Sequence, residues 1–228
     1  MNKTQKFFSA LLMGAMAASA GGSISGIVKA KAKADEEKTV KKNPEACGAK
    51  IKAQKFVIAA GGGVQYAVAM LTDVKGGKPM AAPADLFFDN VACKFEPHVL
   101  VMPMGATLKV RNSDDMLHNS HFFQIDGAQK KNLVNMALPK KGQVIENTKI
   151  LRKEGLVSAQ CDAHDFMQGY IWVLPNAYGA VTAADGGFKL TDVPPGSYTL
   201  KVWHEALGEK TVKVTVEEGK DAKVTVEL

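Results

Sequence analysis

Gln160-Cys161-Asp162-Ala163-His164-Asp165-Phe166-Met167-Gln168-Gly169 places a thiol, an imidazole and a thioether at even three-residue steps, just ahead of the apolar run Tyr170-Ile171-Trp172-Val173-Leu174. Sulfur donors beside an imidazole favour copper, and a mononuclear thiolate site of that kind takes two imidazoles and one thiolate near a plane, with a long axial thioether. One more histidine is therefore required. His118, in Met116-Leu117-His118-Asn119-Ser120-His121-Phe122, stands 43 residues before Cys161. It follows the strand-like run Thr107-Leu108-Lys109-Val110-Arg111-Asn112, so a neighbouring strand end can carry it to the Cys161 loop.

These two segments, in this order, resemble the ligand loops of the cupredoxins of the amicyanin and plastocyanin type. Those loops read His-Asn-x-His-Phe and Cys-x2-His-x-Phe-Met-x-Gly. The resemblance spans roughly residues 99–173 and rests on the pair of motifs, since either alone is weak. It implies an all-β, Greek-key β-sandwich holding one blue (type I) copper. His118 and His164 would be the imidazole ligands, Cys161 the thiolate and Met167 the axial thioether. It further implies that Asn119 ties the two loops together, that His164 is the electron's way out, and that the function is electron transfer. Amicyanin-like loops flank the second histidine with prolines, whereas this chain has Ala163 and Asp165. Asp162 and Asp165 are then expected near the metal, where carboxylates stabilise Cu(II) or supply an oxygen ligand. With Cys161 assigned to copper by the resemblance, Cys47 and Cys93 remain as a disulfide pair. Such a bond contributes roughly 2–4 kcal/mol in an oxidising compartment. The alternative, a disulfide to Cys161, would abolish the site.

Residues 1–20 read as a secretory signal: Lys3 and Lys6, the apolar stretch from Phe7 to Met16, then Ala18-Ser19-Ala20. The stretch is too short to span a bilayer. The expectation is an exported, periplasmic protein with no membrane span. Without Lys3 and Lys6 the formal charge of +6 falls to +4, which gives no reason to invoke nucleic acid. Between His118 and Cys161 the balance is basic, with Lys130, Lys131, Lys140, Lys141, Lys149, Arg152 and Lys153 against Asp126, Glu146 and Glu154. On one face these would steer an acidic redox partner; a solvated face is the plain alternative. His98, His121 and His204 are expected in structural or surface roles, and Met102 and Met104 as core filling.

Strands are expected at Ser23 to Val28, Phe56 to Ala60, Val64 to Leu71, Leu86 to Phe88, Val99 to Met102, Thr107 to Val110, Val144 to Ile150, Gly155 to Ala159 and Gly169 to Leu174. A charged, flexible run is expected from Lys29 to Lys42, and Gly61-Gly62-Gly63 reads as a turn. After Pro175 the pattern becomes a clean alternation through Phe188, Leu190, Tyr198, Leu200, Val202, Val212, Val214, Val216, Val224 and Val226. Asp185-Gly186-Gly187-Phe188 followed by Val193-Pro194-Pro195-Gly196-Ser197-Tyr198 resembles the carboxypeptidase regulatory-like (transthyretin-like) module, a small Ig-like β-sandwich without catalytic groups. The resulting division is 1–20 signal, 21–175 cupredoxin-like and 176–228 regulatory-like, with 23–28 and 64–71 as candidates for the latter's missing strands. The leading functional expectation is an electron carrier rather than an enzyme. The alternatives are copper binding or delivery without electron transfer, and an interaction module that binds no metal. Oligomeric state is not legible.

Overall fold

The computed structural model describes residues 21–75 and 77–228, so the expected signal segment 1–20 lies outside the described residues. The chain opens with β1 (Gly22–Lys29), then β2 (Glu37–Thr39), the single helical turn α1 (Pro44–Cys47), β3 (Lys50–Lys52) and β4 (Val68–Leu71). Nine strands follow: β5 (Phe88–Val91), β6 (Lys94–Glu96), β7 (Val99–Pro103), β8 (Leu108–Asn112), β9 (His118–Asp126), β10 (Gln129–Leu138), β11 (Val144–Asn147), β12 (Gly155–Gln160) and β13 (Gln168–Leu174). The last five are β14 (Gly179–Val181), β15 (Gly187–Val193), β16 (Gly196–His204), β17 (Gly208–Val216) and β18 (Asp221–Glu227). No helix among the described residues is long and apolar enough to cross a membrane.

The nine central strands make two facing sheets, ordered β10-β9-β12-β13-β7 and β11-β8-β5-β6. Phe88, Phe95, Leu108 and Val110 from one sheet meet Leu100, Phe122, Val157 and Ile171 from the other in a single core. Alternate residues of each strand point inward, so a sandwich closes over one apolar layer. Cys161 and Met167 belong to that layer. Met102 is also in it, but Met104, expected with it, is exposed in the turn after β7.

The C-terminal strands form a second sandwich, and the N-terminal segments take part in it. β1 lies between β15 and β18, and β4 lies between β14 and β16. Ile24 and Val28 pack with Phe188, Leu190, Leu200, Val202 and Val216 in its core. Gly26 is needed there: a Cβ at this position would lie 2.5 Å from the Phe188 ring. The buried Thr182 hydroxyl donates to the Val64 carbonyl at 2.6 Å and accepts from the Ala67 amide at 2.9 Å, which aims the chain into β4. This tight turn limits β4 to Val68–Leu71, four residues shorter at its start than the apolar pattern suggests.

The segment from Lys29 to Lys42, expected to be flexible, is held in place. β2 pairs with β3, and the Asp35 carboxylate accepts from the Gln54 and Phe56 amides at 2.8 and 3.0 Å. A disulfide joins Cys47 to Cys93, so the strap formed by β2, α1 and β3 is fastened to the turn between β5 and β6. Val40, Ile51 and Cys93 are buried together beneath it, against Met116 and Phe166.

The two sandwiches meet through Val68, Met70, Val99 and Leu174, with Trp172, Trp203 and Tyr170 packed around them. His98 Nε2 is hydrogen-bonded to a Glu205 carboxylate oxygen across this junction, with side chains only 1% and 3% exposed. Burial, then the Glu205 charge, pushes the neighbouring Tyr170 phenol well above its ordinary value, so it stays protonated. Glu205→Ala would strand an imidazole in this dry seam. We expect a loss of about 1–3 kcal/mol, read as a lower urea midpoint at unchanged slope.

Candidate metal centre

His118 is the first residue of β9 and Cys161 follows the last residue of β12, two strands that pair antiparallel with His121 opposite Gln160. Pairing at that register sets the His118 and Cys161 ends of the two strands side by side. The approach to His118 is shaped by Asn112, whose side-chain NH2 donates to the Met116 and Leu138 carbonyls at 2.8 Å and whose oxygen accepts from the Asp114 amide. Residues 161–167 close on themselves: the Met167 amide donates to the His164 carbonyl at 3.0 Å, and the Cys161 amide to the Met167 carbonyl at 3.3 Å.

The structure therefore gathers His118, Cys161 and His164, with one donor atom of each within 4.8 Å of the others and all three side chains buried. The Cys161 Sγ lies 3.8 Å from His118 Nδ1 and 3.6 Å from His164 Nδ1. Thiolate and imidazole bonds of about 2.3 and 2.0 Å around one metal ion would leave sulfur and nitrogen about 3.5–3.7 Å apart. The donors are thus already at the spacing a bound ion requires. Met167 is buried at the far end of the same loop.

Each imidazole is fixed at its outer nitrogen. His118 Nε2 bonds Asp114 Oδ2 at 2.9 Å, and His164 Nε2 bonds Asn43 Oδ1 at 3.1 Å. These contacts set the tautomer that turns Nδ1 toward the sulfur. Burial pushes the His118 imidazole below its ordinary value despite the adjacent Asp114. Burial and the His118 and Lys42 charges do the same to His164, against Asp114 and Asp165. Both rings are therefore neutral, the form that binds metal, at neutral pH. Burial raises the Cys161 thiol, although the amides of Asn119, Ala163 and His164 favour its thiolate.

The remaining residues fall partly against expectation, although the non-ligand place of His121 and the structural role of His204 agree with it. The Asn119 side chain does not join the two loops; it bonds Asn135 on β10, and it is the Asn119 backbone amide that reaches Cys161 Sγ, at 3.3 Å. Asp162 is exposed and turned away, accepting from Asn135 at 2.6 Å and contacting His121 Nδ1 at 3.1 Å. Asp165 is likewise exposed. His121 points to the other face of β9, as its odd spacing from His118 requires, and its Nε2 bonds Asn132. His204 caps a turn by accepting from the Ala206 and Leu207 amides. His164 is only 1% exposed, because Asn43 on the strap covers its edge, so it is not an open exit for an electron. Asn43 and Asp114 were not anticipated. Asp114 stands four residues before His118, a spacing that could have raised it, while nothing in the sequence joins Asn43 to His164.

Residues 170–228 match the carboxypeptidase regulatory-like domain. The match begins inside β13, a strand of the central sandwich, and does not include β1 or β4. No curated protein matches the chain. Among solved structures, a purple cupredoxin from Nitrosopumilus maritimus is 26% identical over 37% of this chain and 85% of its own, with a TM-score of 0.30. A reduced Cu(I) amicyanin variant is 24% identical over 46% of this chain and 98% of its own, at 0.34. A copper-containing nitrite reductase from Thermus scotoductus is 22% identical over 45% of this chain at 0.33, and the likeness spans a quarter (25%) of that enzyme.

Two outcomes follow from the electrostatics. Binding of one metal ion at pH 7 should release one proton, from Cys161 and not from the neutral histidines, measured by calorimetry in buffers of different ionisation enthalpy. Because that proton leaves Cys161, affinity should already fall about tenfold for each pH unit below 7, and more steeply only below pH ~6.5, where protons begin to compete for the two histidines, whose values are lowered. Removing the outer bond in Asn43→Ala should weaken metal affinity about 10–100-fold, read by chelator competition.

Proposed function

We propose that this chain is an exported mononuclear copper protein that carries electrons. The observation that carries the reading is the preformed donor set: one thiol sulfur already 3.8 and 3.6 Å from two imidazole nitrogens in a dry core, each ring locked from behind. A thiolate with two imidazoles suits several first-row ions, but the buried thioether of Met167 three residues on selects copper. His118, Cys161 and His164 would hold the ion, and Met167 would stand as the axial ligand. Copper would supply the one-electron couple. The protein's part is to keep the donors from rearranging as the oxidation state changes, which lowers the cost of each transfer.

The buried donors are closed to substrates, which supports a carrier rather than an enzyme. Enclosure by the strap also favours electron transfer over rapid metal delivery, since an ion cannot leave without disturbing Asn43. With His164 covered, the electron would pass through the strap side or along the loop backbone instead of a bare imidazole edge. The disulfide between Cys47 and Cys93 supports an oxidising compartment, in line with the signal-like residues 1–20. Lys130, Lys131, Lys140, Lys141, Lys149, Arg152 and Lys153 are all exposed, which supports an acidic redox partner whose association slows as salt rises.

Titration with Cu(II), followed by visible absorption and electron paramagnetic resonance, tests this. One equivalent should give an intense thiolate-to-copper band with narrow hyperfine splitting, and Cys161→Ser should lose both. Wide splitting with a weak band would instead indicate nitrogen and oxygen ligation and a copper-handling role. Absence of binding would leave the regulatory-like module as an interaction domain.

A further inference from the structure

The turn between β5 and β6 brings Cys93 against Asp114, from the β8–β9 connection, and His118, making a second set of metal donors next to the first. Cys93, Asp114 and His118 each offer one ligand atom, and these atoms all lie within 4.8 Å of one another. Asp114 is fixed in place: Oδ1 accepts from the Ala92 amide at 2.7 Å, while Oδ2 accepts from the Cys93 amide at 2.9 Å and bonds His118 Nε2 at 2.9 Å. Cys93 is 1% exposed and His118 fully buried, so the set is shielded from water on two of its three sides. His118 serves both groups, presenting Nδ1 to Cys161 and Nε2 to Asp114.

We propose that Cys93, Asp114 and His118 form a second metal site, for a borderline divalent ion of the zinc type, which the Cys47–Cys93 disulfide keeps shut. A thiolate, an imidazole and a carboxylate are the donors such an ion takes, with the fourth position left to water. While Cys93 Sγ is bonded to Cys47, it cannot act as a thiolate and only two donors remain. Reduction supplies the third. A dithiol reductant gives two electrons and two protons to the disulfide and is itself oxidised to a disulfide, leaving Cys47 and Cys93 as thiols, and the Cys93 thiol loses its proton to solvent as the metal–sulfur bond forms. A neutral imidazole has one lone pair, so an ion held at His118 Nε2 leaves a proton on Nδ1. That orientation withdraws His118 from Cys161, and the two sites compete for one ring. The two sets share His118, but Cys161 and His164 do not belong to the second, so it can be tested with Cys161 removed, whatever becomes of the copper reading.

Co(II), whose thiolate complexes absorb in the near ultraviolet, is the probe. In Cys47→Ser/Cys161→Ser the only thiol left is Cys93. This variant should bind one equivalent with a thiolate-to-cobalt band, and adding Cys93→Ser should abolish it. Adding Asp114→Asn should weaken binding at least about tenfold. Cys161→Ser with its disulfide intact should show no band. The inference is overturned if the double variant gives no band, or if the band survives Cys93→Ser. Should the double variant not fold, Cys161→Ser opened with a phosphine answers the same question, the phosphine becoming its oxide with oxygen from water as the disulfide becomes two thiols. A band that appears on opening, weakens in Asp114→Asn and vanishes on reoxidation supports the site, and any other result removes it.

Discussion

Burying a thiol between two imidazoles is costly unless every nitrogen of both rings has somewhere to go. Here the inner nitrogens face Cys161 Sγ and the outer ones are bonded to Asp114 and Asn43. Much of the local architecture follows from those two outer bonds. Asp114 is held by the turn that carries Cys93, and Asn43 stands at the head of the helical turn that carries Cys47. The disulfide therefore joins the two elements that orient the two rings. It is a clasp on the donor set as well as a staple on the chain.

The donor set itself was legible because its chemistry is written in side chains at fixed spacing: Cys161, His164 and Met167 within one loop, and His118 after a strand. The clean alternation after Pro175 gave the C-terminal strands for the same reason, as period-two apolar positions there face a single core. The two longest central strands were not legible. β9 turns His118, Ser120, Phe122 and Gln124 inward, so three of its four core-facing residues are polar and the hydrophobic alternation is erased. β10 is largely exposed, with only Met136 and Leu138 buried, and has almost no apolar face to read. β11, expected to run to Ile150, stops at Asn147, because the Asn147 side chain accepts from the Lys149 and Ile150 amides and bends the chain away. The strap was missed because a charged segment resembles a flexible one; its order comes from Asp35 and from a covalent bond to a residue 46 positions away. Contacts of that range leave no local trace.

The junction between the sandwiches is held by different means from either core. Within each sandwich the contacts are mostly aliphatic and aromatic, whereas the seam adds a buried His98–Glu205 pair and ring contacts of Trp203 with Tyr170 and Trp172 at 5.3 and 5.8 Å. Large aromatic rings and a buried hydrogen-bonded pair have strict geometric demands. Two sandwiches joined by such a seam keep one relative orientation.

The parallel pairing of β1 with β18 bears on how the chain is assembled. Ser23 bonds Asp221 across a separation of 198 residues, so β1 finds this neighbour only once β18 has been made. Closing so long a loop in one step is slow. The nine central strands lie between these partners in sequence, and once they have folded they draw the ends of the interrupted sandwich together. The half that holds the donor set thus serves as the template on which the other half closes, and an error in the former is passed on to the latter.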